Sequence, residues 1–140
     1  ICALGLSEQQ LAGYASRLGS DCAFFIYNRP MFGEGRGELL SPFQIEIGDY
    51  DLQVITPAGI AVSTKDAYGG IRPHLPEVPL REVLARPVEQ WADVLVNDFE
   101  ETVFVKFPEL AVIKRSLYDS GAVYASMSGS GSALFALYRR

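Results

Sequence analysis

The residues of this 140-residue chain with the clearest capacity for chemistry form a glycine- and serine-rich segment from Met127 to Ser132. Two glycines alternate with three serines, so backbone N–H groups and hydroxyls lie close together with little side-chain bulk. Such a segment can admit an anionic group to the main chain. A flexible hairpin turn is the simpler interpretation, because no Walker-type lysine follows. Taken alone, the residues slightly favour the turn and leave the anion site open.

Asp21 is a second candidate, because its carboxylate lies where two predicted elements meet. Ser7 to Gln10 has the spacing of a capping box, which predicts a helix that begins there and ends at Gly19. The apolar residues 23–27 predict a strand buried on both faces. Asp21 can cap the turn between helix and strand, which the residues alone favour. Alternatively, it is a catalytic carboxylate held by rigid elements on both sides.

Thr64 and Tyr68 form a third candidate pair, because they are four residues apart on a predicted helix. Ser63 to Asp66 has the hydroxyl cap and early acidic residue of a helix start. Residues at this spacing share one helical face, so both side chains can line a pocket. The alternative is that Thr64 belongs to the cap and Tyr68 packs against a neighbouring element.

A second glycine-rich segment, Gly33 to Glu38, has a Gly-x-Gly-x-Gly pattern that resembles a dinucleotide-binding motif. That signal is weak because no helix is predicted after it. We interpret the segment as structural, in a bulged or sharply bent strand. Turn residues Asn28 to Pro30 predict that residues 23–27 form a hairpin with the strand that begins at Met31.

The remaining elements complete an order of helix, strands, helices and a final hairpin, which predicts an α+β fold. The hairpin strands, residues 122–125 and 133–138, flank the glycine–serine segment. The likeliest internal boundary lies near Gly48 and Asp49. Between boundary and hairpin we predict a strand (51–56), a short extended run (60–62), a short helix (80–86), a helical section (88–94), a helix capped by Asn97 and Glu100, and a helix from Pro108 to Gly121.

Composition limits the possible function classes. The chain is 49% hydrophobic, which is enough for a packed core, and its formal net charge is -5 with both signs interspersed. It lacks a continuous positive stripe, so we expect no nucleic-acid partner. It also lacks an apolar run of membrane-spanning length, so we expect no membrane partner. Cys2, Cys22 and His74 are too few for a disulfide scaffold or a zinc cluster, which favours reduced thiols and a cytoplasmic protein.

Five stretches, in order, resemble the GHMP small-molecule kinases. The glycine–serine segment is shared across that superfamily, whereas the first and fourth stretches are typical of one member. Together they extend through nearly the whole chain. The stretches are Leu18-Gly19-Ser20-Asp21-Cys22-Ala23-Phe24-Phe25, Gly33-Glu34-Gly35-Arg36-Gly37-Glu38, Val62-Ser63-Thr64, Val96-Asn97-Asp98-Phe99-Glu100 and Met127-Ser128-Gly129-Ser130-Gly131-Ser132.

The resemblance implies a fold and an activity. Residues 1–48 would be the end of an N-terminal lobe of the ribosomal protein S5 domain 2-like type, and residues 49–140 a ferredoxin-like C-terminal lobe, incomplete at its end. The implied reaction is ATP-dependent phosphorylation, with Mg²⁺, of the 2-hydroxyl of 4-diphosphocytidyl-2-C-methyl-D-erythritol in non-mevalonate isoprenoid biosynthesis.

The resemblance also implies a role for each candidate residue. Asp21 matches the catalytic aspartate that accepts or orients the proton of the attacking hydroxyl. Thr64 and Tyr68 match positions that line the substrate cleft, with Tyr68 against the cytosine ring. The phosphate-loop positions, which support the phosphate region or hold the main chain in shape, are Ser128, Gly129, Ser130 and Gly131. No metal ligand is implied among these residues.

Two features of the family are missing from these 140 residues. One is the N-terminal lysine together with the Pro-x-x-x-Gly-Leu-Gly-Gly-Ser-Ser loop that wraps the ATP phosphates. The other is a helix and strand after the last hairpin, since this sequence stops at Arg140. We therefore expect a core piece with little or no activity alone, whose exposed apolar faces at Phe24, Phe25 and the last hairpin promote self-association.

Two alternatives remain open. One is another GHMP kinase, which acts on mevalonate, homoserine or a sugar. The other is a non-catalytic α+β ligand-binding module that has kept the glycine–serine segment and lost the chemistry.

Overall fold

The structure is a computed structural model that describes residues 5–19, 21–72 and 74–140. It divides into two compact units, Ile1–Ile45 and Glu46–Arg140. Each unit combines helices with antiparallel strands. The prediction of a mixed architecture of helices and sheets is confirmed.

The first unit begins with helix α1, Glu8–Ala15, which starts at the predicted capping box. Ser7 Oγ accepts from Gln10 N–H at 3.2 Å, and Gln10 Oε1 accepts from Ser7 N–H at 2.8 Å. These reciprocal bonds satisfy two of the N–H groups that a helix start leaves without partners. The helix ends earlier than predicted, with Ser16 rather than Gly19 at its C-cap.

Helix α2, Cys22–Tyr27, replaces the strand predicted for residues 23–27, so that prediction is wrong. A six-residue apolar run is too short for its periodicity to distinguish a strand from a helix. Here α2 packs against α1 through the buried Ala23, and Asn28 ends it in the left-handed conformation at φ 45°. Phe24 and Phe25 remain 40% and 73% exposed.

The predicted hairpin between residues 23–27 and Met31 is also wrong, because the first unit's hairpin pairs strands β1, Met31–Glu34, and β2, Leu39–Pro42. The second glycine-rich segment provides the turn between them. Gly35 and Gly37 have φ angles of 69° and 97°, which L side chains rarely adopt. Glycine is therefore needed here for backbone conformation.

The second unit contains a three-stranded antiparallel sheet and four α-helices among the described residues. The strands are β3, Tyr50–Ile55, β4, Tyr124–Met127, and β5, Leu134–Arg139, in the order β3-β5-β4. The helices are α3, Thr64–Gly70, α4, Leu80–Leu84, α5, Phe99–Lys106, and α6, Pro108–Asp119. None of the helices in the described part of the chain is both long and apolar enough to cross a membrane.

Most sequence predictions for this unit are confirmed. The predicted first strand and final hairpin are present, Pro108 opens α6, and Gly121 follows it with φ 98°. Residues 60–62, predicted as a short extended run, belong to no strand. The helical section predicted for residues 88–94 is wrong, since it contains only one 3₁₀ turn, Val88–Gln90. The final hairpin is mostly buried rather than exposed, since all four residues of β4 are buried.

Helices α3, α5 and α6 and one face of the sheet form the core of the second unit. A Cβ atom on Gly70 would collide with the Thr102 side chain, so α3 and α5 approach each other closely. Lys106 and Asp66 form an ion pair at 2.6 Å between the same two helices. The buried core residues are Ala67, Val103, Leu110, Leu117, Ala122, Ala125, Met127, Leu134 and Ala136.

Candidate functional site

The glycine–serine loop, residues 128–133, connects β4 to β5. Ser128 N–H donates to Ala133 O at 2.8 Å, and Gly131 N–H donates to Ser128 O at 3.0 Å. Gly131 has a φ of 85°, and a Cβ atom on it would lie 2.6 Å from the Met127 sulfur. The loop is thus a folded turn with its own hydrogen bonds, in which position 131 has no room for a side chain.

The side chain of Asn97 connects the loop to the start of helix α5. Its amide nitrogen donates to Met127 O and to Gly129 O, both at 2.8 Å. Its carbonyl oxygen accepts from Phe99 N–H at 3.0 Å, which fixes the orientation of the amide. One half-buried side chain therefore bonds two loop carbonyls and one N–H of the helix start.

The Glu100 side chain bonds the end of strand β4 that leads into the loop. Its Oε1 accepts from Met127 N–H at 2.7 Å and from Ser126 Oγ at 3.1 Å. Its Oε2 forms an ion pair with Lys114 at 2.5 Å, and the two side chains are only 13% and 21% exposed. The predicted capping box between Asn97 and Glu100 is wrong: Asn97 Oδ1 accepts from Phe99 N–H rather than from Glu100 N–H, and the Glu100 carboxylate bonds Ser126, Met127 and Lys114 instead of Asn97 N–H.

The loop carbonyls and N–H groups differ in what they bond. The carbonyls of Met127, Ser128 and Gly129 all accept hydrogen bonds from the protein. Among the described residues, the N–H groups of Gly129 and Ser130 have no acceptor. The loop therefore offers donors whose neighbouring acceptors are already occupied. Such an arrangement suits an anionic group.

The segment before α3 lies against the same loop. Ser132 Oγ donates to Ile60 O at 2.7 Å, and Val62 is in van der Waals range of a Cβ built on Gly131. Ser63 then caps α3, since its Oγ accepts from Asp66 N–H at 3.4 Å. The predicted hydroxyl cap is confirmed and belongs to Ser63, which leaves Thr64 as the first residue of the helix.

Thr64 is exposed, and Tyr68 is 64% exposed. The Tyr68 ring meets the Phe99 ring edge to face, with centroids 4.9 Å apart. This contact places Tyr68 beside the start of α5. Glu100 lies in the first turn of that helix, and Asn97 lies two residues before it. The second unit thus brings α3, the start of α5 and the glycine–serine loop together, and Tyr68 retains an open ring surface.

Asp21 lies in the first unit, immediately before α2. Its backbone carbonyl accepts from Phe24 N–H at 3.2 Å, while its side chain forms no capping bond to the helix. The carboxylate is exposed, and its Oδ1 lies 3.6 Å from the position of a Cβ atom on Gly37. The backbone of Asp21 therefore shapes the helix start, and its carboxylate remains accessible beside the β1–β2 turn.

Sequence reasoning missed the roles of Asn97, Glu100 and Lys114. The spacing of Asn97 and Glu100 predicts a helix start, and the stretch from Val96 to Glu100 resembles the GHMP kinases, but neither pattern indicates that these side chains bond the loop. An asparagine and a glutamate that precede a loop rich in backbone donors are also suited to bind that loop's main chain. Which of these two uses applies depends on a tertiary contact 27 to 32 residues away.

Residues 5–19, 21–72 and 74–140 contain no group of three or more His, Cys, Asp or Glu side chains that can hold a metal ion.

Comparison with known proteins finds a matching family model and similar proteins. Residues 80–140 match the family model described as "GHMP kinases C terminal". A 4-diphosphocytidyl-2-C-methyl-D-erythritol kinase of Bacteroides thetaiotaomicron is 49% identical over 135 residues, which cover 96% of this chain and 49% of that protein. The protein of the same name from Gloeobacter violaceus is 35% identical over 97% of this chain and 48% of its own length.

A solved structure gives the same relationship in three dimensions. The crystal structure of 4-(cytidine 5'-diphospho)-2C-methyl-D-erythritol kinase matches with a TM-score of 0.75 and 31% sequence identity. The match covers 91% of this chain and 47% of that one. The chain spans about half the length of the relatives it matches.

Proposed function

We propose that this chain, which contains a GHMP kinase C-terminal domain over residues 80–140, belongs to an ATP-dependent kinase that phosphorylates the 2-hydroxyl of 4-diphosphocytidyl-2-C-methyl-D-erythritol. The observation that carries the proposal is the 49% identity to a kinase of that name over 96% of the chain. The similarity extends through both units, so it includes Asp21 as well as the glycine–serine loop. The first unit would be the end of the N-terminal lobe, and the protein would be cytoplasmic.

The glycine–serine loop would support the phosphates of ATP. The observation behind this proposed role is the arrangement of donors. Gly129 and Ser130 N–H lack acceptors among the described residues, while three neighbouring carbonyls already accept hydrogen bonds. Phosphoryl transfer depends on positioning and charge stabilisation rather than on covalent chemistry by the protein. Preorganised backbone donors provide that stabilisation without rearrangement during the reaction. Mg²⁺ would bind with the ATP phosphates.

Asp21 would orient the acceptor hydroxyl and take its proton as the oxygen attacks the γ-phosphate. The support is an exposed carboxylate that the local fold does not use, on a residue whose backbone is fixed by helix α2. The nearby glycine turn keeps bulk away from it, since Gly37 has no side chain. General base and orienting roles of this kind typically contribute ~10²–10⁴-fold in rate.

Thr64 and Tyr68 would bind the cytidine part of the acceptor. Tyr68 has one ring edge against Phe99 and is 64% exposed, so its ring can stack with a base without losing that contact. An aromatic ring that packs on one side and is open on the other is a suitable platform for a planar base. Thr64, one turn earlier on the same helix face, can offer its hydroxyl to the same ligand.

The experiment is an ADP-release assay on the native polypeptide that contains this chain. It would receive ATP, Mg²⁺ and one acceptor at a time from a panel of 4-diphosphocytidyl-2-C-methyl-D-erythritol, mevalonate, homoserine and a simple sugar. We expect release only with the cytidyl acceptor. Release with a different acceptor would contradict the proposed substrate, and ATP binding without release would favour a binding module.

A further inference from the structure

We infer that Asn97 is a positioning residue for phosphoryl transfer, because its amide holds the carbonyls of Met127 and Gly129 and so leaves the N–H groups of the loop available to an anion. The inference rests on the proposed function, since it assigns a cause to the conformation of the proposed phosphate loop. Asn97 itself is not a catalytic residue, as its contacts are with the main chain.

The first argument concerns the atoms to which the Asn97 side chain forms hydrogen bonds. The side chain is half-buried, and its hydrogen bonds within the described residues are with backbone atoms: Met127 O, Gly129 O and Phe99 N–H. A side-chain amide that only started the helix would need its oxygen alone. The two donated bonds to a loop 30 and 32 residues away therefore serve the loop.

The second argument concerns the sign of the partial charges in the loop. A backbone segment presents both C=O and N–H groups, and an anion is repelled by a carbonyl oxygen and attracted by an N–H. Asn97 bonds two carbonyls, and Gly131 N–H bonds that of Ser128 between them. The loop surface is consequently biased toward positive partial charge.

The third argument is that the amide is itself supported. Met127, the residue whose carbonyl Asn97 bonds, has its N–H bonded by Glu100, and Glu100 is paired with Lys114 on helix α6. Both backbone polar groups of Met127 are therefore held by side chains from one helix start. A loop held in this way keeps its conformation before the ligand arrives, which is the condition for preorganised stabilisation.

The test uses two matched substitutions in the native polypeptide, Asn97→Asp and Asp98→Asn. Asn97→Asp keeps the oxygen that accepts from Phe99 N–H but directs a second carboxylate oxygen at two carbonyls that now receive a bond at 2.8 Å. Asp98→Asn makes the reverse exchange at the next residue, which is exposed and forms no side-chain cap bond. Thermal unfolding, steady-state kinetics and calorimetry with a non-hydrolysable ATP analogue would be measured for each.

For Asn97→Asp we expect a loss of roughly 10²-fold in kcat/KM for ATP, the size of effect that a misplacement of about 1 Å causes. The analogue should bind more weakly, and the KM for the acceptor should stay within about twofold of wild type, a difference too small to reflect a lost contact. Asp98→Asn should match wild type in kcat/KM for ATP, in affinity for the analogue and in the KM for the acceptor.

Three outcomes would overturn the inference. These are unchanged kcat/KM for ATP in Asn97→Asp, a rise in the KM for the acceptor as large as the weakening of analogue binding, and recovery of ATP affinity whenever the folded fraction is restored by cooling. If wild type binds the analogue but phosphorylates none of the acceptors, the proposed function fails. The analogue affinities of Asn97→Asp and Asp98→Asn would then still decide the inference. Wild type that does not bind the analogue overturns both.

Discussion

The two glycine-rich turns of this molecule have similar composition and opposite hydrogen bonding. In the first unit, the turn from Gly35 to Glu38 is closed by its own acid, since a Glu38 oxygen accepts from Arg36 N–H at 2.6 Å. In the second unit, the loop from Ser128 to Ser132 is held by side chains from outside it, Asn97 among them. The first turn thus pairs one backbone donor with an internal carboxylate, whereas in the second turn the N–H groups of Gly129 and Ser130 have no acceptor within the described part of the chain.

Glycine content alone therefore does not make an anion site. A phosphate near the first turn would meet the Glu38 carboxylate, whose pKa is held below its usual value by hydrogen bonds from its own N–H and from that of Arg36. A phosphate near the second would meet the N–H groups of Gly129 and Ser130. What distinguishes the two turns is the partner of each backbone group, and this depends on residues far away in sequence.

The largest expected effect concerns Asp21, the proposed catalytic carboxylate, which lies beside the first turn. Asp21→Asn removes the proposed base while the α2 start, which uses only the Asp21 backbone, is kept. We expect kcat of the native polypeptide to fall by ~10²–10⁴-fold, with the KM for ATP unchanged. Stopped assays of ADP release would measure it. Asp93→Asn, another exposed acid, serves as the control, and equal turnover in the two variants would remove Asp21 from its role.

The second prediction compares the two turns directly through Gly131→Ala and Gly35→Ala. Both positions have a positive φ, 85° and 69°, so each alanine should destabilise the protein by ~1–3 kcal/mol. Only Gly131→Ala should also lower kcat/KM for ATP, by roughly 10²-fold, because it would displace the loop that we propose supports the phosphates. Urea unfolding would report the first effect and kinetics the second. A loss of activity in Gly35→Ala as large as in Gly131→Ala would contradict the different roles proposed for the two turns.

The third prediction concerns Tyr124, on the strand that leads into the second turn. Burial raises the pKa of Tyr124 to about 12, from a usual 10.0. A raised pKa in the folded state means stability that is complete below pH 10 and is lost as the pH rises toward 12. At pH 11.5 the loss should be about 2 kcal/mol.

The matched variant is Tyr124→Phe, which keeps the ring against Trp91 but loses the bond from the hydroxyl to Leu95 O at 2.8 Å. It should be less stable by about 1 kcal/mol at pH 8, and the difference from wild type should narrow or reverse by pH 11.5. Urea unfolding at both values measures this. A constant difference at the two pH values would show that Tyr124 does not titrate in this range.

The smallest effect belongs to Glu38. Because the pKa of its carboxyl is lowered in the folded state, its contribution to stability is present above the usual value of 4.5 and is lost as the pH falls through the folded pKa. Glu38→Gln should therefore be slightly less stable than wild type at neutral pH, and the difference should shrink as the pH falls below 4.5, as measured by urea unfolding at several pH values. A steeper acid limb in the variant would contradict the assignment.

Local signals predicted the elements that depend on local bonds. The capping box at Ser7, the hydroxyl cap at Ser63 and the proline that opens α6 each act within one turn of helix, so their residues suffice to identify them. The strand prediction for residues 23–27 is wrong because their apolar side chains suit either a strand or a helix. Packing against α1 decides between the two, and sequence spacing does not record it.

The candidate site was predictable in its parts and not in its connections. The glycine–serine loop, Tyr68 and the Asn97 motif were each visible as patterns. That Asn97 bonds the loop and that Phe99 contacts Tyr68 follows from how α3 and α5 pack in the second unit. These contacts join residues that are 31 or more positions apart, where a single sequence carries no direct signal.

The most direct test of the central claim is hydrogen–deuterium exchange of the native polypeptide with and without a non-hydrolysable ATP analogue and Mg²⁺. If the second turn faces the phosphates, amides of residues 128–133 should become protected on binding, and those of residues 33–38 should exchange at the same rate in both states. Protection of residues 33–38 with unchanged exchange at 128–133 would contradict the account.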